Sequence, residues 1–264
     1  MTNAIKTILI TGASSGIGKA TAELFQSNGW NVAATMRSPD TDSEPWEAPS
    51  RLVTRLDVTD CDSINEAVEK TVQRFGTIDV LLNNAGYGAY GPLEAFSMGQ
   101  VESQFATNVI GLLAVTKAVL PHMRTARSGL IVNISSIGGL MTFPLGSLYH
   151  GSKFAVEGIS ESLHFELEPL GIRVKIVEPG MTKTDFGGRS FVFETGADLP
   201  EYLPAIEGMQ KAMQHYAATP SSPATIAEVI WQAVNDSSNT LRYRAGDDAS
   251  VLLDARKSED DETF

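Results

Sequence analysis

Seven short apolar runs punctuate the chain, and each is followed by a loop and a stretch of helical periodicity. The runs are Thr7–Ile10, Val32–Ala34, Leu52–Leu56, Val80–Leu82, Ile131–Ile134, Val174–Val177 and Leu241–Tyr243. Several are apolar at every position instead of alternating, as strands covered on both faces are in a parallel sheet. Parallel neighbours need long crossovers, and the segments between the runs supply helices. Ile64, Ala67, Val68, Thr71, Val72 and Phe75 recur at i, i+3, i+4 spacing, with Asp60 or Asp62 available to cap the start and Gly76 where the helix should stop. Ile159, Leu163 and Leu167 mark one face of another helix, which should end near Pro169 and Gly171. The expected fold class is α/β: a doubly wound, seven-stranded parallel sheet with helices on both faces.

At 264 residues the chain can bury a large core without staples, and it reads as a single domain, 1–264. A net charge of −12 without basic clusters argues against nucleic acid or an anionic membrane as partner. The single cysteine, Cys61, leaves no internal disulfide and no cysteine-based zinc site, so no metal is expected. The longest apolar helical stretch, Val109–Leu120, is interrupted by Lys117 and is too short to span a bilayer. The N-terminus lacks the charged-then-apolar pattern of a leader, so a cytoplasmic setting is expected. Residues 181–222 hold no clear strand but several aromatics and prolines, which reads as an insertion over the sheet edge, a substrate loop or lid. Residues 254–264 read as an acidic, solvated tail.

The first run leads into Thr11-Gly12-Ala13-Ser14-Ser15-Gly16-Ile17-Gly18 and then a helical pattern from Lys19 to Gln26. A strand, a glycine turn and a helix N-terminus together suit a pyrophosphate: the glycines let the backbone approach, and the helix end meets the charge. The same residues satisfy Gly-x-Ser-x-Gly, the nucleophile elbow of a serine hydrolase, with Ser14 as nucleophile. That reading needs a late histidine after a carboxylate, and none of His122, His150, His164 and His215 sits in such a loop. The second run decides which dinucleotide fits. An acid there would accept ribose hydroxyls, whereas this chain has Thr35-Met36-Arg37-Ser38 and no acid before Asp40. A cation pairs with a 2′-phosphate, so Arg37, with Ser38, points to NADP.

Tyr149 and Lys153 are four apart at the start of an expected helix, so both project from one face. A phenol working as a base at neutral pH needs its pKa lowered by about 3 units, or about 4 kcal/mol. One cation at about 4 Å in an effective dielectric near 20 supplies about that much. Ser136 follows the Ile131–Ile134 run, at the carboxyl edge of a parallel sheet, where its hydroxyl can donate to a substrate oxygen.

These residues, with Asp57-Val58 after the third run, Asn83-Asn84-Ala85-Gly86 after the fourth, Asn108, and Pro179-Gly180 with Thr184 after the sixth, resemble the short-chain dehydrogenase/reductase family of single-domain type. The resemblance runs in order from about Lys6 to Asp185. It implies a Rossmann-like fold and reversible hydride transfer between NADP(H) and a ketone, aldehyde or alcohol. It further implies that Tyr149 is the general acid/base, that Lys153 lowers its pKa and holds the nicotinamide ribose, that Ser136 orients the carbonyl, and that Asn108 holds a relay water. By the same resemblance Gly12, Ser14, Ser15, Gly16, Ile17, Gly18, Asp57, Val58, Asn84, Ala85, Gly86, Pro179, Gly180, Thr182 and Thr184 contact the cofactor. Helices at about 99–127 and 150–168 would make the subunit contact of a homodimer or homotetramer.

Within the family, Gly139-Leu140-Met141, Ser152 to Gly158 and Thr35-Met36-Arg37 resemble the hydroxysteroid and retinol dehydrogenase branch. Tyr87, Met141, Phe143 and Phe186 are the expected substrate residues, with Tyr90, Phe191, Phe193 and Tyr202 as further apolar lining. Such a lining favours a bulky, weakly polar small-molecule substrate. Two rivals remain on this fold. A 3-oxoacyl carrier-protein reductase would want cations at the mouth, and only Arg124, Arg127 and Arg189 offer themselves; a non-catalytic cofactor-binding protein would have no use for Tyr149 and Lys153.

Overall fold

All seven runs become strands of one sheet: β1 (Thr7–Ile10), β2 (Asn31–Met36), β3 (Arg51–Arg55), β4 (Val80–Asn83), β6 (Gly129–Ile134), β7 (Ile172–Pro179) and β9 (Arg242–Ala245). This computed structural model describes residues 5–39, 48–184, 190–216 and 220–260. The strand order is β3-β2-β1-β4-β6-β7-β9, and the pairings are parallel. The order reverses between β1 and β4, which opens a crevice at their carboxyl ends.

Alternation along each strand sends residues to opposite faces. Ile8, Ile10, Val32 and Ala34 join Phe25 of α1 (Gly16–Ser27) and Ile226 and Ile230 of α7 (Pro223–Asn235). Leu9, Ala33, Leu81 and Ile131 meet Ile64 and Val68 of α2 (Cys61–Phe75) and Val115, Val119 and Met123 of α4 (Leu112–Ala126). Each of the larger buried side chains, valine, leucine, isoleucine, phenylalanine or methionine, contributes roughly 1.5–3 kcal/mol. Asp60 caps α2, accepting from the N–H groups of Asp62 at 3.1 Å and Ser63 at 3.2 Å, and Gly76 ends it in the left-handed region at φ 81°.

Three expectations need correction. The helix expected at about 99–127 is present, with α3 (Met98–Phe105) running through a π turn at Ala106–Gly111 into α4, and what changes is the reading of its apolar part, Val109–Leu120, as too short to span a bilayer. Met98–Ala126, 29 residues, is long and apolar enough to cross a membrane by length and composition, yet its inner face packs on the sheet core. The insertion at 181–222 does hold a strand. Phe191–Phe193 (β8) pairs in parallel with Gly88–Tyr90 (β5), and α6 (Leu203–Tyr216) follows. A three-residue Phe-Val-Phe alternation is too short to register as a strand until a partner is in place. Residues 254–258 are not tail but the end of α8 (Asp247–Ser258), which is anchored by Ala249, Leu252 and Leu253 against Ile137 and Met141. The remaining long helix, α5 (Ser147–Leu167), packs against β7 and the turn after β6.

Candidate active site

At the crevice the carboxyl ends of β1, β4, β6 and β7 open into a cleft of about 1090 Å³. Its floor at one end is the glycine turn. The Thr11 hydroxyl oxygen accepts from the N–H groups of Asn84 at 2.9 Å and Ala85 at 3.0 Å. In return the Asn84 side-chain amide donates to the carbonyl oxygens of Thr11 at 2.9 Å and Gly12 at 3.0 Å. The two loops are thus stitched together. Gly12 and Gly16 lie at φ 70° and 55°, where a side chain is strained. Gly18 does not line the cleft; a Cβ there would sit 2.3 Å from the Gly12 carbonyl oxygen. Ser14, Ser15, Gly16 and Ile17 do line it, at the start of α1, whose first turn carries no acid and whose Ser15 cap makes no side-chain bond. That leaves donors and a partial positive charge aimed at an anion. Among the described residues no hydrogen bond joins Ser14 to a histidine, so the elbow geometry of a hydrolase is not formed.

Further along the same end, Arg37 stands exposed after β2 and lines the cleft with Asp57 and Val58. Burial pushes the Asp57 carboxyl up. The N–H and hydroxyl of Thr59, at 3.0 and 2.7 Å, outweigh that, and Arg37 and Arg55 add to the pull, so the carboxyl stays below its ordinary range. Ser38, next to Arg37, is exposed but does not line the cleft.

At the other end α5 presents Tyr149 and Lys153, which are 8% exposed each, and Ser136 follows β6. Lys153 Nζ donates to the Ile134 carbonyl oxygen at 2.8 Å and lies 5.8 Å from the Tyr149 ring centre. The expected lowering of the phenol by Lys153 does not dominate here. Burial pushes Tyr149 up to about 12, and its hydrogen bond with Ser136 draws it partly back. Burial likewise brings Lys153 down to about 8, with Glu157 opposing. Both groups are removed from water, so each resists its charged form. Asn108 sits behind the site at 2% exposure. Its oxygen accepts from Tyr87 N at 3.1 Å, and its amide donates to Tyr87 O at 2.9 Å and to the Ser152 hydroxyl at 3.0 Å. The π turn is what aims it there, and a Cβ on Gly86 would come 3.1 Å from its oxygen.

Pro179, the last residue of β7, and Gly180, Thr182 and Thr184 after it run along the cleft, with Thr184 packed against Gly16. The substrate half is walled by Tyr87, Tyr90, Phe143, Phe191 and Phe193. Tyr90 stacks on Phe191 at 5.4 Å and tilts toward Tyr149 at 5.5 Å between ring centres. Met141 does not belong to this wall: it is 3% exposed beneath α8, because the turn after Ser136 points it into the cluster with Leu252 and Leu253. Phe186 and Arg189 lie outside the described residues. Tyr202 does not line the cleft and donates to Glu94 at 3.1 Å.

Several lining residues were not assigned from the sequence, among them Met209 and His150. Met209 of α6 closes the wall through the tertiary fold alone. His150 bridges the Gly138 carbonyl at 2.9 Å and the Phe143 N–H at 3.0 Å, so the carbonyl fixes the proton on Nδ1 and burial keeps the ring neutral. Its only sequence signal is adjacency to Tyr149.

Comparison with known proteins agrees with this geometry. The profile of the family described as short chain dehydrogenase matches residues 6–193. An uncharacterised oxidoreductase of Schizosaccharomyces pombe is 46% identical over 81% of this chain and 89% of its own. The 3-ketodihydrosphingosine reductase of Bacteroides thetaiotaomicron is 39% identical over 95% and 91%. Human 17-beta-hydroxysteroid dehydrogenase type 1 is 35% identical over 89% and 76%. Among solved structures, a short-chain dehydrogenase from Streptomyces avermitilis superposes with TM-score 0.85 at 35% identity, covering 98% of this chain and 95% of that one. ElxO with NADP bound does so with TM-score 0.72 at 30% identity, over 91% and 97%. The chain belongs to the short-chain dehydrogenase family of oxidoreductases, and its relatives include members of the hydroxysteroid branch.

Proposed function

We propose that this protein is an NADP(H)-dependent oxidoreductase that reduces a bulky, weakly polar ketone or aldehyde and runs in reverse on the alcohol. The observation that carries this reading is the meeting of Tyr149, Ser136 and Lys153 at the end of a cleft whose other end is a glycine turn at an uncapped helix N-terminus. A dinucleotide fits that turn: the positions nearest the backbone are glycines, and a Cβ on Gly12 or Gly16 would close to within 3.1 or 3.2 Å of neighbouring atoms. Arg37, at the adenosine end, is the residue that would pair with a 2′-phosphate. The NADP bound to ElxO supports this preference.

When bound, the nicotinamide supplies the hydride. Tyr149 then gives its proton to the carbonyl oxygen, and Ser136 donates a hydrogen bond to the same oxygen as negative charge grows on it. Burial keeps the phenol protonated, so Tyr149 has a proton to give. Lys153 would hold the nicotinamide ribose and, by its charge, steady the phenolate left behind. Asn108 keeps the π turn and Ser152 in register under this group. The substrate half carries aromatic rings and Met209, which suits an apolar body beside the reacting carbonyl.

The carrier-protein reading loses ground on placement. Arg124 and Arg127 lie at the far end of α4, just before β6 begins and so at the edge opposite the cleft. We further propose that the protein assembles as a homodimer or homotetramer through α5 and the long helix of α3, the π turn and α4, where Ile110 of the π turn and Phe154 and Phe165 of α5 are 60%, 45% and 66% exposed. A panel of ketones, aldehydes and acyl thioesters with NADPH, followed at the nicotinamide absorbance, tests the function. Consumption with bulky ketones supports the reading, and consumption only with thioesters overturns it.

A further inference from the structure

Asp248, in the first turn of α8, reaches out of its helix to the segment that follows β7. Its Oδ2 accepts the backbone N–H of Met181 at 2.6 Å. Both carboxylate oxygens would lie 2.3 Å from a Cβ on Gly180, and Oδ1 would lie 2.7 Å from one on Gly246. Glycine at those two positions is what admits the side chain. Oδ1 is buried without a hydrogen-bond partner among the described residues, so the group bears a real desolvation cost to hold this place. The helix N-terminus offsets part of that cost.

Backbone bonds hold the rest of the segment together with the Thr182 hydroxyl, which donates to Gly180 O at 3.1 Å. Gly180 N donates to Ala245 O at 2.9 Å, Met181 O accepts from Ser221 N at 2.9 Å, and Lys183 N donates to Ser221 O at 2.8 Å. Asp248 thus pins, from α8, a run, Gly180 to Thr184, whose every residue faces the cleft. We propose that Asp248 is a positioning residue that sets this cofactor-facing run, so that the C-terminal helix is coupled to dinucleotide binding. The proposal rests on the nicotinamide reading given above.

NADPH fluorescence titration of wild type, Asp248→Ala and Asp248→Asn tests it. Asp248→Ala should raise the NADPH dissociation constant at least about tenfold, the loss expected for a buried bond to a charged acceptor. Asp248→Asn keeps an acceptor for the Met181 N–H and should bind much nearer wild type. In Asp248→Ala the KM for NADPH should move more than kcat. Asp248→Ala binding NADPH as tightly as wild type overturns the proposal, whereas a wild type that binds no nicotinamide dinucleotide overturns the functional reading instead. Amide exchange on wild type decides the matter without any variant. NADPH should slow exchange at 180–184 and at 247–253 together; protection of the first with the second unchanged overturns the coupling.

Discussion

The side-chain amide of Asn84 donates to the Gly12 carbonyl oxygen at 3.0 Å, and both atoms stand where a Cβ on Gly18 would have to go. Gly18 is needed for packing and not for contact with a ligand: the clash distances are 2.3 Å to the Gly12 oxygen and 2.6 Å to the Asn84 nitrogen. Gly18→Ala must push the turn away from α1 or break the Asn84 stitch. We expect a loss of NADPH binding and a lower melting temperature, on the scale of about 1–3 kcal/mol for overpacking. Fluorescence titration and calorimetry check both, and an alanine variant that binds NADPH normally contradicts the packing role.

Cofactor choice is expected to follow Arg37, which stands free of the core at the adenosine end. Arg37→Asp should shift preference from NADPH toward NADH by about 10–100-fold in kcat/KM, the range of one charge-assisted bond. Initial rates with both cofactors measure it. A wild type that already prefers NADH contradicts this assignment.

The seven strands and the helices between them could be read from the chain because continuous apolar runs and helical spacing encode burial directly. The Tyr149, Lys153 and glycine positions could be read because their spacing is itself the chemistry. Met141 was misplaced for the opposite reason. Ser136 to Gly138 before it and Phe143 after it line the cleft, whereas Met141 packs with Leu252 and Leu253 of α8. The β5–β8 pair and the Asp248 contact join residues 103 and 67 positions apart, Gly88 to Phe191 and Met181 to Asp248, and Met209 meets Tyr90 and Tyr149 from comparably distant chain, and no local pattern reports such pairings.

Glu178 offers a test of the buried charges behind the site. It is 1% exposed, and Arg242 Nε lies 3.5 Å from its Oε1. Burial, with Glu157 adding repulsion, pushes its carboxyl from 4.5 up to about 7 against the pull of Arg242 and Arg244. A carboxyl whose pKa rises on folding contributes stability that is complete below its unfolded value and lost as pH climbs through the folded one. Glu178→Gln removes that loss. The variant should melt a few degrees above wild type at pH 8 and close to it at pH 5, read by calorimetry at both pH values. A variant less stable than wild type at pH 8 contradicts the assignment.

The most direct test is the Tyr149→Phe variant, assayed for NADPH oxidation with the best ketone of the panel and titrated with NADPH in parallel. Removing one hydroxyl should cut turnover by at least about 100-fold, as expected for a general acid, while the NADPH titration overlays that of wild type. Turnover retained by the phenylalanine variant would show that the proton comes from another group and that Tyr149 is not the acid.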